Sequence, residues 1–332
     1  MINYRASIRY TIPMHEFDII KTFFLSQSIH RPDVSTGIGD DAAIVQPPQG
    51  IELAITTDTL VCGVHFPEST SPYDIGYKSL AVNLSDLAAM GAAPAWVTMT
   101  LTLPNKNTDW IKAFSQGFFH LANQHHVQLI GGDLTHGPLS ITIQAIGFTP
   151  TQQAILRSKA KSGDFIYVTG TLGDAGLALK HIRQHITLDP AYQQAILQRL
   201  NRPEPRISIG RRLRSFASAA IDISDGLAAD LSHILNASAV GARLNVNELP
   251  LSDGLSQTLT SDEAIALALT AGDDYELCFT LPPQHHAEFE KQLSPLPCRI
   301  TCIGKITEKP GLELHYHDGG AYHGPILGYQ HF

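Results

Sequence analysis

The sequence predicts a two-domain protein of the α/β (α+β) class. Three observations carry this. The chain has 332 residues, more than one ordinary domain holds. A hydrophobic content of 43% can bury a sizeable core, and a charged content of 16% is far from that of a disordered chain. Strand-like and helical runs are mixed through both halves, with no short-period repeat.

The elements follow in order. Residues 1–14 read as an N-terminal extension, with Arg5 and Arg9 but no apolar stretch of a signal peptide. Phe17, Ile20 and Phe24 mark an amphipathic helix over 15–27. After Gly37-Ile38-Gly39-Asp40-Asp41 come strands at 42–45 and 51–57, separated by Pro47-Pro48-Gln49-Gly50. Ser71-Pro72 caps and opens a long helix that stops at Gly91. It is mostly apolar, yet Ser79, Asn83 and Asp86 form one polar stripe, which faces either solvent or a buried site. A strand at 96–103, a helix at 108–126, a strand at 127–130 and a strand at 139–148 follow. Thr149-Pro150 reads as a linker dividing a domain of 15–150 from one of 151–332. In the second half, strands are expected at 165–169, 219–223, 242–246, 276–280 and 299–306. Helices are expected across 190–218 with a break at 202–205, to 236, at 262–271 and at 284–293. Gly170, Gly173 and Gly176 follow a strand at a spacing that tight helix–strand packing explains as well as a dinucleotide loop.

Composition excludes several classes. Net charge is −8 without a basic run, which argues against nucleic acid. No apolar run approaches the roughly 18 residues of a membrane span. The four cysteines have no metal or paired spacing and read as reduced thiols in a cytoplasmic protein. There is no Walker lysine motif and no nucleophile elbow. The histidine pairs lack metal-binding spacing and read as ordinary surface or core residues.

What remains is a recurring acidic pattern. Thr56-Thr57-Asp58, Gly131-Gly132-Asp133 and Asp222-Ile223-Ser224-Asp225 each put aspartate among small residues where a strand ends. Asp40-Asp41 sits in a glycine loop, and Asp86 on the polar stripe. Taken alone, the Gly-Asp-Asp stretch reads as a solvated acidic turn. Together the aspartates are oxygen donors of the kind magnesium shares with a substrate phosphate. Metal-assisted phosphoryl transfer or hydrolysis is the chemistry they fit.

Six stretches, in order, carry a resemblance. They are Gly-Ile-Gly-Asp-Asp-Ala-Ala, Thr-Thr-Asp-Thr-Leu-Val-x-Gly-Val-His-Phe, Ala-Val-Asn-Leu-Ser-Asp-Leu-Ala-Ala-Met-Gly-Ala, Leu-Ile-Gly-Gly-Asp-Leu-Thr, Ile-Asp-Ile-Ser-Asp-Gly-Leu and Gly-Asp-Asp-Tyr-Glu-Leu-Cys-Phe. From about residue 15 onward the chain resembles the thiamine-monophosphate kinase family, within the superfamily of aminoimidazole ribonucleotide synthetase and selenophosphate synthetase. The resemblance implies an N-terminal dimerising α/β domain that binds metal and ATP, and a C-terminal α/β domain. It implies ATP-dependent phosphorylation of thiamine monophosphate to thiamine diphosphate, several Mg2+ ions and a homodimer. Carried over position by position, the metal ligands are Asp41, Thr56, Thr57, Asp58, Asp86, Asp133, Asp222 and Asp225. ATP meets Gly132, Asp133, Arg157 and Ser224. Thiamine monophosphate meets His65 and Asp273. Family members often carry Glu-Asp where this chain has Asp273-Asp274, and Ile326 stands where some carry a tryptophan, with Tyr329 as the nearby aromatic. No catalytic base is assigned, and direct in-line transfer is expected. Another ATP-dependent synthetase of the superfamily, a metal-dependent phosphatase and a non-catalytic metal- or nucleotide-binding protein are the alternatives.

Overall fold

The computed structural model describes residues 15–292 and 298–329. The expected extension, 1–14, lies outside the described residues, as does the end of the helix expected over 284–293. The first helical stretch is α1 (Glu16–Ile19), continued by a π turn to Phe24 and a 3-10 turn to Gln27. Two short strands, β1 (Val34–Thr36) and β2 (Ile44–Val45), pair across the glycine-aspartate loop.

The first half then builds one sheet. Its elements are β3 (Ile51–Val61), α2 (Pro72–Ala89), β4 (Ala93–Leu103), α3 (Thr108–Gln124), β5 (Gln128–His136) and β6 (Ser140–Pro150). The strand order is β3-β6-β4-β5, antiparallel except for β4 and β5. Two expectations are corrected here. The strand expected at 127–130 runs through both glycines to His136. At Gly132 the backbone takes φ +149°, and an added Cβ would lie 1.8 Å from the Met99 carbonyl oxygen. Glycine there permits a close approach to β4 and does not end the strand. Thr149 and Pro150 likewise belong to β6, with Pro150 at the strand's last position, where its missing N–H costs least.

The second half contributes β7 (Phe165–Thr169), α4 (Asp174–Ile182), α5 (Pro190–Asn201), α6 (Ile207–Leu213), β8 (Ala219–Asp222), α7 (Leu227–Ser238) and β9 (Gly241–Asn245). It continues with α8 (Asp253–Thr258), α9 (Ser261–Thr270), β10 (Leu277–Leu281), α10 (Pro283–Gln292), β11 (Ile300–Thr307) and β12 (Gly311–His315). Its six strands run β12-β9-β11-β7-β10-β8. β1, α8 and β12 are too short to carry a periodic sequence signal.

α2 connects the halves. Ser71 Oγ accepts the Asp74 N–H at 3.1 Å, and Pro72 opens the helix. At its end Gly91 takes φ +67°, with Gly91 N–H to Ala88 O and Ala92 N–H to Leu87 O, a Schellman stop. Leu80, Leu84 and Leu87 share one buried cluster with Tyr167, Ala220, Leu277 and Phe279 of the second sheet. A helix packed from both sides is apolar nearly all round. No described helix is long and apolar enough to cross a membrane. All four cysteines are free thiols.

Candidate active site

Three of the predicted aspartates meet where β3, α2 and β8 come together. Alternation along β3 leaves Ile55, Thr57 and Thr59 exposed and turns Thr56 and Asp58 the other way. Thr56 Oγ1 donates to Asp86 Oδ2. The Asp58 N–H donates to Asn83 Oδ1 at 3.1 Å. The polar stripe of α2 is therefore a buried one: Ser79 and Asn83 are sealed from solvent. Asp222, the last residue of β8, is also buried. Burial pushes the Asp58 carboxyl up to about 6, helped by the charge of Asp86. Burial raises Asp86 as well, against the Thr56 hydrogen bond and the nearby Arg157 cation. Asp222 is raised well above its ordinary value, by burial first and then by the charge of Asp86. Thr57 stands on the opposite face, so its hydroxyl is not part of this group.

A cleft of about 580 Å³ opens from Asp58. His65, Ser224, Asp225, Asp273 and Tyr329 line it. His65 Nδ1 accepts the Val61 N–H at 3.0 Å, which puts the proton of the neutral ring on Nε2. The 224–226 turn is held from beneath: Asp230 Oδ2 accepts the N–H groups of Ser224, Asp225 and Gly226 at 3.0, 3.0 and 3.1 Å. Asp230 is raised to about 7, by burial, in spite of these donors. Asp273 (φ +68°) and Tyr275 (φ +49°) both take the left-handed region. Their N–H groups bond Ser224 O and Ile223 O at 2.9 and 2.8 Å, tying this bend to the 224–226 turn. Leu327, Gly328 and Tyr329 line the cleft, with Ile326 next to them in the chain. The Tyr329 N–H bonds Asp225 O at 2.9 Å, which ties this segment to the 224–226 turn.

A second cleft, of about 490 Å³, has Thr56, Asp86 and Arg157 on its walls. Asp58 is on the wall of the first cleft and Asp86 on that of the second, with Asp222 buried beside Asp86. A third, of about 750 Å³, gathers Asp41, Gly132 and Asp133 with α1 and β5. So the predicted residues fall into two sets. Thr56, Asp58, His65, Asp86, Arg157, Asp222, Ser224, Asp225 and Asp273 surround one acidic junction. Asp41, Gly132 and Asp133 lie on a separate wall. Within the glycine loop, Asp40 Oδ1 accepts the Asp41 N–H at 2.9 Å, so Asp40 braces the turn that presents Asp41. Among the described residues no three His, Cys, Asp or Glu side chains converge closely enough to hold a metal ion alone.

The acids that support this site from behind are weakly marked in the sequence. Asp230 carries one signal, an acid in the first turn of a helix after Ser-Asp-Gly. Glu276 carries none, yet it is fully buried against the Arg206 guanidinium at 2.6 and 2.7 Å, Arg199 at 2.7 Å and Thr169 at 2.5 Å.

These two sheets, joined by one buried helix and meeting at an acidic junction, define a class: AIR synthase related proteins. Their N-terminal domain description matches residues 39–149 and their C-terminal one residues 161–317. The chain is 47% identical to the thiamine-monophosphate kinase of Salmonella typhimurium, over 96% of this chain and 98% of that one. It is 48% identical to that of Haemophilus influenzae, over 90% and 91%. The crystal structure of thiamine-monophosphate kinase from Stenotrophomonas maltophilia superposes with a TM-score of 0.85 at 46% identity, covering 92% of this chain and 97% of that one. AaThiL complexed with AMPPCP and TMP superposes at 0.75 and 31% identity, covering 90% and 93%. The chain belongs to the thiamine-monophosphate kinase family. The hydrogenase maturation protein HypE of E. coli, 19% identical with a TM-score of 0.78, shares the fold.

Proposed function

We propose that this chain transfers the terminal phosphoryl group of ATP to thiamine monophosphate, giving thiamine diphosphate and ADP. One observation carries the chemistry: Asp58, Asp86 and the buried Asp222 stand together, with Asp58 on the wall of one cleft and Asp86 on the wall of the next. None of the three has a lysine or arginine ion pair among the described residues.

The acceptor is a phosphate monoester with a second pKa near about 6, so it is largely dianionic at neutral pH and needs no strong base. That agrees with the absence of an assigned catalytic base. The difficulty is bringing two polyanions together. The donor set fits Mg2+: hard oxygens on buried carboxylates, where magnesium takes one or two carboxylates and fills its remaining positions with water and phosphate oxygens. Asp58, Asp86, Asp222 and Asp225, with Thr56 and the Thr57 backbone, would hold it at the junction, and Asp41 and Asp133 on their own wall. When bound, the ions supply neutralisation of phosphate charge.

The protein's own groups orient the reactants. Arg157, at the mouth of the Asp86 cleft, is placed to grip an ATP phosphate with two parallel N–H donors. Ser224 and the Gly132-Asp133 pair are the further ATP contacts. His65, Asp273 and Tyr329 take the thiamine moiety in the larger cleft. We read the two domains as 15–150 and 151–332, and the assembly as a homodimer. Transfer is direct, without a phosphoenzyme. With ATP made chiral at the γ-phosphorus by oxygen isotopes and sulfur, inversion in the product is expected; net retention would show a double displacement.

A further inference from the structure

Lys78 is a cation in an unusual place. It lies on α2 inside the protein, its side chain 3% exposed. A buried ammonium is costly unless it is paired and hydrogen-bonded. Its Nζ is 3.1 Å from Asp273 Oδ2 and donates to the His65 backbone carbonyl at 3.3 Å. These are the two residues assigned to the thiamine moiety, and they come from opposite halves of the chain. Lys78 itself is not on the cleft wall, whereas Val82, one turn along the same helix face, is.

We infer that Lys78 is a positioning residue of the acceptor cleft: its ammonium latches Asp273 to the His65 turn and so fixes the spacing between the two cleft walls. Three features make the latch effective. Asp273 is held in the left-handed region, a conformation that disfavours a non-glycine residue and persists when its surroundings impose it. Its N–H is bonded to Ser224 O, so fixing its carboxylate also fixes the 224–226 turn beside Asp225. And α2 carries Asp86 two turns beyond Lys78, so one rigid helix sets both the latch and the acidic junction. Lys78 acts on substrate only through Asp273 and His65.

The inference rests on the larger cleft taking thiamine monophosphate. The test compares wild type, Lys78→Met, Lys78→Arg, Asp273→Asn and the double variant Lys78→Met/Asp273→Asn, measuring KM separately for thiamine monophosphate and for ATP. Lys78→Met should raise KM for thiamine monophosphate about tenfold while KM for ATP stays within about twofold. Lys78→Arg should recover most of that loss. The double variant should match Asp273→Asn, because a residue that works through Asp273 has nothing left to position. A merely structural lysine would lower Tm and leave both KM values in place, and that result overturns the inference. If Lys78→Met does not fold, the double variant still decides: a KM well above that of Asp273→Asn means that Lys78 touches substrate itself. A wild-type chain that forms no thiamine diphosphate sinks the functional reading instead, a result distinct from an active wild type with an unchanged Lys78→Met.

Discussion

At the scale of residues, the fold spends its buried charges in two ways. Glu276 is buried but fully answered. Burial alone would raise it, yet the Arg206 hydrogen bonds and the Arg199 and Arg206 charges bring it below its ordinary 4.5. A carboxyl lowered on folding adds stability above its unfolded value and loses it as pH falls through the folded one. Removing one partner from such a buried pair costs on the order of 3–5 kcal/mol. Glu276→Gln should therefore unfold at much lower urea than wild type near neutral pH, and the gap should narrow as pH falls below 4.5. A gap independent of pH would show that the glutamate is not ionised in the folded protein. Asp58, Asp86 and Asp222 are the opposite case: burial raises all three, and none is in an ion pair with lysine or arginine among the described residues. The aspartates were legible in the sequence because Asp58 and Asp222 follow apolar strand-like runs among small residues and Asp86 lies on the polar stripe of an otherwise apolar helix. Lys78, Asp230 and Glu276 were not, because their roles are made by partners 195, 5 and 70 positions away, as with Lys78 and Asp273, Asp230 and Asp225, Glu276 and Arg206. Spacing along a chain does not report such pairings.

At the scale of elements, α2 is the organising piece. It crosses α3 at a reciprocal glycine contact. A Cβ on Gly76 would lie 2.0 Å from Phe114 O, and one on Gly117 1.9 Å from Tyr73 O. Backbone cannot give way as a flexible side chain can. Gly76→Ala should cost about 2–3 kcal/mol by forcing the helices apart, and thermal unfolding should show a Tm lower by several degrees. An unchanged Tm would mean that the crossing has slack. The boundaries of α2 were legible, since Ser71-Pro72 and Gly91 are strong caps. The inward direction of its polar stripe was not. Periodicity places residues on one face, but only the second sheet reveals that the face is covered. The same limit explains β5 and β6: glycine and proline read as breaks when the register with a neighbouring strand is unseen.

At the scale of the whole molecule, two sheets share one core through α2, and the acidic junction lies where they meet. The outer face of β3 is less settled by the single chain. β3 is an edge strand of 11 residues, with Leu53 42% and Ile55 59% exposed. A long edge with apolar side chains invites pairing. The proposed homodimer would cover it, and light scattering should give the mass of two chains, falling to one when Ile55→Lys places charge there. A dimer indifferent to that change would have its interface elsewhere.

In the proposed reaction the acidic junction moves a phosphoryl group between two bound phosphates. Phosphorus NMR of the chain with ATP, Mg2+ and thiamine monophosphate tests it most directly. The expected spectrum gains the paired signals of thiamine diphosphate as ATP becomes ADP, and Asp86→Ala, folded as wild type by circular dichroism, leaves the starting signals in place. Inorganic phosphate as the product would make the chain a phosphatase, and an unchanged spectrum with wild type would make it a binder.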